Sequence, residues 1–289
     1  MPGEPLLDAK TLARLERLQL RTSQRLAGQF SGDHRSQRRG TSLDFADYRE
    51  YHPGDDFRRI DYHLYARLDQ LLLKLFEAEE DVTVRLLVDT SSSMSAPDKF
   101  RLTKQVAAAI GFVSLVRRDA VTVATFPFHL PPPRFNGRAA LGALLHHLEQ
   151  IEPGGVTEFA NAVGDLLARR STPGLTVVVS DLLTPDWATA IRRLPARGDQ
   201  AAVVHIVDPR DHEPDVGGDI DVVDRETGAT VAVSASPLDL RALQTRVAEW
   251  QDEVAERCRM SGVHYTRIAV GDDLERTLFG SWRAAGMVS

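Results

Sequence analysis

Residues 82–94 read VTVRLLVDTSSSM: seven mostly apolar residues, then a carboxylate, then a run of hydroxyls. An apolar run of strand length that ends on Asp89 and leads into a helical pattern from about Lys99 to Arg117 opens a βα unit. The same alternation continues downstream. Strands are expected at Val121–Phe126, Thr176–Ser180, Ala201–Val207 and Val263–Val270. Helices are expected at Ala139–Gln150, Glu158–Arg169, Pro185–Arg193 and Leu238–Arg257, with a short last one near Asp272–Leu278. Strands apolar throughout need cover on both faces, so the pattern predicts an α/β fold with a doubly wound, mostly parallel sheet over about 82–282.

Two stretches interrupt the alternation. Pro131, Pro132 and Pro133 suit an edge hairpin or an extended connection, because proline cannot donate to a ladder. Ile220–Val223 and Thr230–Val233 flank a bend at Gly228 and predict an inserted β-ribbon within about 208–235. The chain is therefore read as an N-terminal extension over 1–80 and an α/β domain over 81–289. Within the extension, Asp8 caps a helix expected to run to Gly28, with Leu12, Leu15 and Leu18 on one side. Lys10, Arg14, Arg17, Arg21 and Arg25 align on another face. Residues 29–80 read as irregular with short strands, and helical character returns near Leu71–Glu80.

Composition narrows the class. With 289 residues, 43% hydrophobic and 26% charged, the chain can bury a full core, which excludes disordered and disulfide-stapled scaffolds. Its one cysteine, Cys258, fits a reducing compartment and predicts a cytoplasmic location. No uncharged run approaches the about 20 residues of a spanning helix, and the first residues lack a signal pattern. The net charge of -6 conceals a basic arm: residues 8–39 carry eight Lys and Arg against three acids. A solvated helix face is the simpler account of that arm, and an acidic-protein, polyphosphate, nucleic-acid or membrane-surface contact the sharper one.

In doubly wound sheets, ligands bind beyond the carboxyl ends of the strands. Asp89, Ser91 and Ser93 follow the first strand at alternate positions and can converge on one point. Asp181 follows the strand Thr176–Ser180, and the loop from Glu152 delivers Thr157 just before a helix. Two carboxylates and three hydroxyls form a hard, all-oxygen set suited to Mg²⁺ or Mn²⁺. A vacant coordination position would accept an Asp or Glu side chain from a protein partner. Each residue also has a structural reading: Asp89 and Asp181 as turn formers, Ser93 or Ser95 and Thr157 as helix caps.

Asp89-x-Ser91-x-Ser93 with Thr157 and Asp181 resembles the metal-ion-dependent adhesion site of von Willebrand factor A domains. YREYHPGDDFRRIDYHLYAR at 48–67 and VDPRDHEPDVGGDIDVVDRETG at 207–228 resemble the bacterial "domain of unknown function 58" family. That resemblance implies a von Willebrand A-like core and a non-enzymatic adaptor. It also implies that the adaptor works with a MoxR-type AAA+ ATPase in the maturation or assembly of protein complexes. The alternating charges Arg49, Asp55, Asp56, Arg58, Arg59, Asp61 and Arg67 are expected to pair among themselves, or else to recognise a partner. Asp208, Arg210, Asp211 and Glu213 carry the same two readings.

Rival functions have less support. A Mg²⁺-dependent phosphohydrolase could use Asp89 as a nucleophile, but Ser91 stands where such enzymes of the haloacid-dehalogenase type want a second Asp. The basic helix could bind nucleic acid or a membrane surface, yet a pI near 5.9 argues against dedicated nucleic-acid binding. Cys258 shares a stripe with Leu240, Leu243, Val247, Trp250 and Val254, which predicts a core residue. His146 and His147 point about 100° apart on a helix, poor for a shared ligand. No nucleotide-binding glycine loop, nucleophile elbow or zinc helix motif is present.

Overall fold

Thr83–Asp89 (β3), buried at all seven positions, is the middle of a six-stranded sheet in the computed structural model of the chain. The structure describes residues 5–18, 43–52, 55, 57–78, 83–126, 131–156, 158–169, 174–211, 213–214, 216–285 and 287. Contacts group them in two units, Met1–Thr22 with Val82–Ser289, and Ser23–Asp81.

In the first unit, β3 pairs in parallel with Ala120–Phe126 (β4) on one side and Leu175–Ser180 (β6) on the other. Gln200–Val207 (β7) and His264–Ala269 (β10) extend the parallel run beyond β6. Arg134–Asn136 (β5) closes the far edge antiparallel to β4, directly after the three prolines, where a lost donor is harmless. The spatial order is β10-β7-β6-β3-β4-β5. The chain leaves β3 toward β4 and returns to β6 on the opposite side, so the order reverses between β3 and β6. Their carboxyl ends carry Asp89 and Asp181.

Alternation along the strands fills two cores. Val84, Leu86, Val88, Val177, Val179, Val204 and Ile206 face one side, while Leu87, Val178 and Val203 face the other. Pro97–Val116 (α3) and Leu141–Gln150 (α4) lie in the first layer, where Gly111 admits Leu144: a Cβ there would stand 2.5 Å from Leu144 Cδ2. Phe159–Ala168 (α5), Trp187–Arg193 (α6) and Pro237–Met260 (α7) cover the second. A capping box between Ser236 and Asp239 starts α7. Cys258 is buried there, its thiol pushed up to about 12 by burial, as expected of a core residue. The stripe containing it is covered only in part, since Leu243 remains exposed. A π turn over Glu275–Phe279 and a helix over Gly280–Ala284 (α8) finish the chain, later than expected.

The N-terminal segment and the inserted ribbon complete this unit. The N-terminal helix Ala9–Leu15 (α1) ends at Glu16, and residues 19–28 of the expected helix lie outside the described residues; Leu15 and Leu18 bury in the first core, and contacts group α1 with this unit. Asp8 caps it by accepting from Thr11 N–H, as predicted. The inserted ribbon is present as Gly218–Val223 (β8) against Thr230–Ala235 (β9), and Gly228 adopts φ +71 in its bend.

The second unit is built on Leu43–Glu50 (β1) antiparallel to Leu72–Ala78 (β2). Leu72–Ala78 is thus a strand, not the helix expected near Leu71–Glu80. The leucine-rich segment has good helix propensity, but pairing from Leu72↔Glu50 to Ala78↔Leu43 overrides it. Between the strands, Tyr62–Leu68 (α2) is capped by Asp61, which accepts from His63 and Leu64 N–H and from the Tyr48 hydroxyl. Arg49 pairs with Asp55 at 2.9 Å, the mutual pairing expected of this segment.

Candidate functional site at the carboxyl ends of the central strands

Asp89 ends β3 with 1% of its surface exposed, and both of its oxygens are engaged. Oδ1 accepts from Ser91 N–H at 2.9 Å, and Oδ2 accepts from the Ser180 hydroxyl at 2.5 Å. Burial, and after it the charge on Asp181, raises the Asp89 carboxyl above the ordinary carboxylate range; the Ser180 and Ser91 hydrogen bonds offset part of this. Ser91 is fully buried and its hydroxyl lies 2.8 Å from that of Ser93.

Asp181 follows β6. Its Oδ1 accepts from Leu183 N–H at 3.0 Å, and the turn runs through Leu182 at φ +58, a strained value for a branched residue. That turn buries Asp181 and Leu182 while presenting Leu183 outward. Both aspartates therefore act as turn formers, the structural role open to them from sequence. Neither Ser93 nor Ser95 caps the following helix: Ala96 is the N-cap of α3, with no side-chain bond. The Glu152–Val156 loop packs on the same turn, Gly155 carbonyl accepting from both Ser92 N–H and the Ser92 hydroxyl. Thr157 lies outside the described residues.

The structure adds a member that the five-residue set lacks. Lys99, in the first turn of α3, is fully buried, and its ammonium stands 2.7 Å from Asp181 Oδ2. Asp181 Oδ2 has no aligned hydrogen bond, so this contact is an ion pair. The same ammonium donates to Asp211 Oδ2 at 2.7 Å and to the Ser93 carbonyl at 3.3 Å. Burial alone would lower the lysine, but Asp181 and then Asp211 outweigh it, and its pKa rises above the usual value. It is charged. Asp211 arrives on the turn Pro209–Asp211, which Arg210 fastens by a forked contact to Asp208 and a 3.3 Å contact to Asp98. Farther along the insertion, Arg225 donates to the Ser95 hydroxyl at 3.0 Å.

A sequence signal for Lys99 existed. It falls on the buried side of α3 with Leu102, Thr103 and Val106, where an apolar residue is the rule. It also places a cation at a helix N-terminus, against the helix dipole.

As arranged, these residues do not fit a divalent ion. Mg²⁺ bound through Asp181 Oδ2 at about 2.1 Å would stand no more than about 5 Å from the ammonium. At an effective dielectric near 20, that repulsion is about 7 kcal/mol. Among the described residues, no group of three or more His, Cys, Asp or Glu is placed to hold a metal. A cavity of about 80 Å³ adjoins the ion pair, lined in part by Asp181, His205, Asp211 and Trp250. His205, buried edge-on to Trp250 and bonded to the Tyr265 hydroxyl, is held neutral, its pKa lowered by burial to about 4.

A mostly parallel α/β sheet with an aspartate turn at its switch point, a second small β unit and an inserted ribbon define the class. The chain belongs to the family described as protein of unknown function DUF58, whose model matches residues 47–253. An uncharacterized protein of Mycobacterium tuberculosis and one of Mycobacterium bovis are each 30% identical to it over 266 residues, spanning 88% of this chain and 83% of theirs. Among solved structures, it is similar to the conserved hypothetical protein BatB from Bacteroides thetaiotaomicron, at 16% identity and a TM-score of 0.41 over 71% of this chain and 98% of that one. An aerotolerance-related membrane protein from Bacteroides fragilis matches at 17% identity, with the same TM-score and coverage. Among the described residues, no helix is long and apolar enough to cross a membrane.

Proposed function

We propose that the chain is a non-catalytic protein-interaction module, a von Willebrand A-like adaptor that works with a MoxR-type AAA+ ATPase in the cytoplasm. One observation supports the non-catalytic reading above others: the groups that could do chemistry at the strand ends are already committed to one another. Asp89 has both oxygens bonded, and the cavity beside Asp181 falls well below the about 300–1,000 Å³ of a small-molecule site. What faces solvent there is binding surface, including Val156 and Leu183, which are 52% and 49% exposed.

The basic arm gives less support to a nucleic-acid or membrane role. Arg14 pairs with Glu275 at 3.1 Å, and Arg21 and Arg25 lie outside the described residues. Dependence on Mg²⁺ or Mn²⁺ lies outside the proposal, because the ammonium of Lys99 already stands 2.7 Å from Asp181 Oδ2.

The test uses the purified full chain and a purified MoxR-type ATPase from the same genome, with binding followed by biolayer interferometry. Saturable binding that weakens in Leu183→Asp, together with no turnover of phosphoesters, is expected. Phosphoester turnover that disappears in Asp89→Asn would overturn the reading in favour of a phosphohydrolase.

A further inference from the structure

We infer that the Lys99 ammonium is the resident cation of the strand-end site, standing in the place of a divalent ion, so that the site is metal-independent. The inference does not depend on the adaptor reading. Three oxygens surround this ammonium: it donates to Asp211 Oδ2 and to the Ser93 carbonyl, and it pairs by charge with Asp181 Oδ2. They come from three separate segments, the end of β6, the Pro209–Asp211 turn and the turn after β3, which is how a bound cation organises a site.

The lysine is not a surface side chain folded inward. Helix α3 places it on its buried side, and the Thr103 hydroxyl donates to the Lys99 carbonyl one turn on. Its ligands are held independently of it: Asp181 by Leu183 N–H, and the Asp211 turn by the Arg210–Asp208 fork. Asp89, the other carboxylate that would complete an oxygen shell, already has both of its oxygens bonded, to Ser91 N–H and to the Ser180 hydroxyl. A metal bound through Asp181 Oδ2 would have to displace, or stand beside, a fully buried ammonium 2.7 Å from that oxygen.

Calorimetric titration of the full chain with Mg²⁺ and with Mn²⁺, alongside thermal melts in excess metal and in chelator, tests the inference. The wild type is expected to show no saturable one-to-one binding and no shift in its melting temperature. Lys99→Ala, which uncovers Asp181 and Asp211, is expected to gain one-to-one Mn²⁺ binding and to melt higher with metal than without. One-to-one binding by the wild type that is lost in Asp89→Ala would overturn the inference, and that arm stands even if Lys99→Ala does not fold. A folded Lys99→Ala that is unmoved by either ion would also overturn it.

Discussion

Lys99 Nζ stands 2.7 Å from Asp181 Oδ2, with 1% and 4% of the two side chains exposed. A buried pair of this kind is weak evidence for stability as a whole, but breaking it leaves one charge stranded. Lys99→Met should therefore lower the unfolding free energy by about 3–5 kcal/mol in urea titrations. Lys99→Met combined with Asp181→Asn should recover part of that loss. Additive effects of the two substitutions would show that the residues do not act as a pair.

A second buried pair holds the opposite end of the sheet. Arg85 on β3 meets Asp199 at 3.2 Å, with 5% and 1% of the side chains exposed, and Asp199 also accepts from Gly174 N–H and the Thr176 hydroxyl. Asp199→Ala is expected to cost about 3–5 kcal/mol, measured by urea unfolding. A loss below about 1 kcal/mol would mean that the Arg85 charge is compensated without Asp199.

The two glycines Gly174 and Gly142 should respond in opposite directions. A Cβ on Gly174 would lie 2.2 Å from the Thr83 carbonyl oxygen, a backbone atom that cannot step aside, so Gly174→Ala should destabilise by more than about 1 kcal/mol. Gly142, inside α4, has nothing within 4 Å of that position, and Gly142→Ala should stabilise by about 0.5–1 kcal/mol. Thermal melts of the two variants check the contrast.

His205 sets a pH dependence. Its folded pKa, lowered by burial to about 4, lies below the unfolded value of 6.5, so the folded chain binds the proton less readily. Its contribution is fully present above pH about 6.5 and is lost as pH falls toward 4, about 3 kcal/mol in all. His205→Gln should flatten the stability profile across that window. An unchanged slope would show that this imidazole is solvated.

Strands and helices of the α/β unit are legible from sequence because burial on both sheet faces leaves unbroken apolar runs such as LTVVVS at Leu175–Ser180. The turns carrying Asp89 and Asp181 are legible for the same reason, being the residues where those runs stop. Leu72–Ala78 is not legible: its strand state is imposed by a partner some thirty residues earlier, against local preference. Lys99 and Asp211 were hidden differently. They lie 112 residues apart, so the place of Lys99 among core positions could mark it as unusual, but its carboxylate partner became visible only in the tertiary fold.

The central claim is that an ammonium, not a metal, holds Asp181 and Asp211 together beneath the turn at Asp89. Anomalous diffraction at the manganese edge, from crystals grown in Mn²⁺, tests it most directly. The account predicts no anomalous peak among Asp89, Ser91 and Asp181, with Lys99 Nζ in density between the two carboxylates. A manganese peak bonded to Asp89 or Asp181, with the lysine displaced, would contradict it.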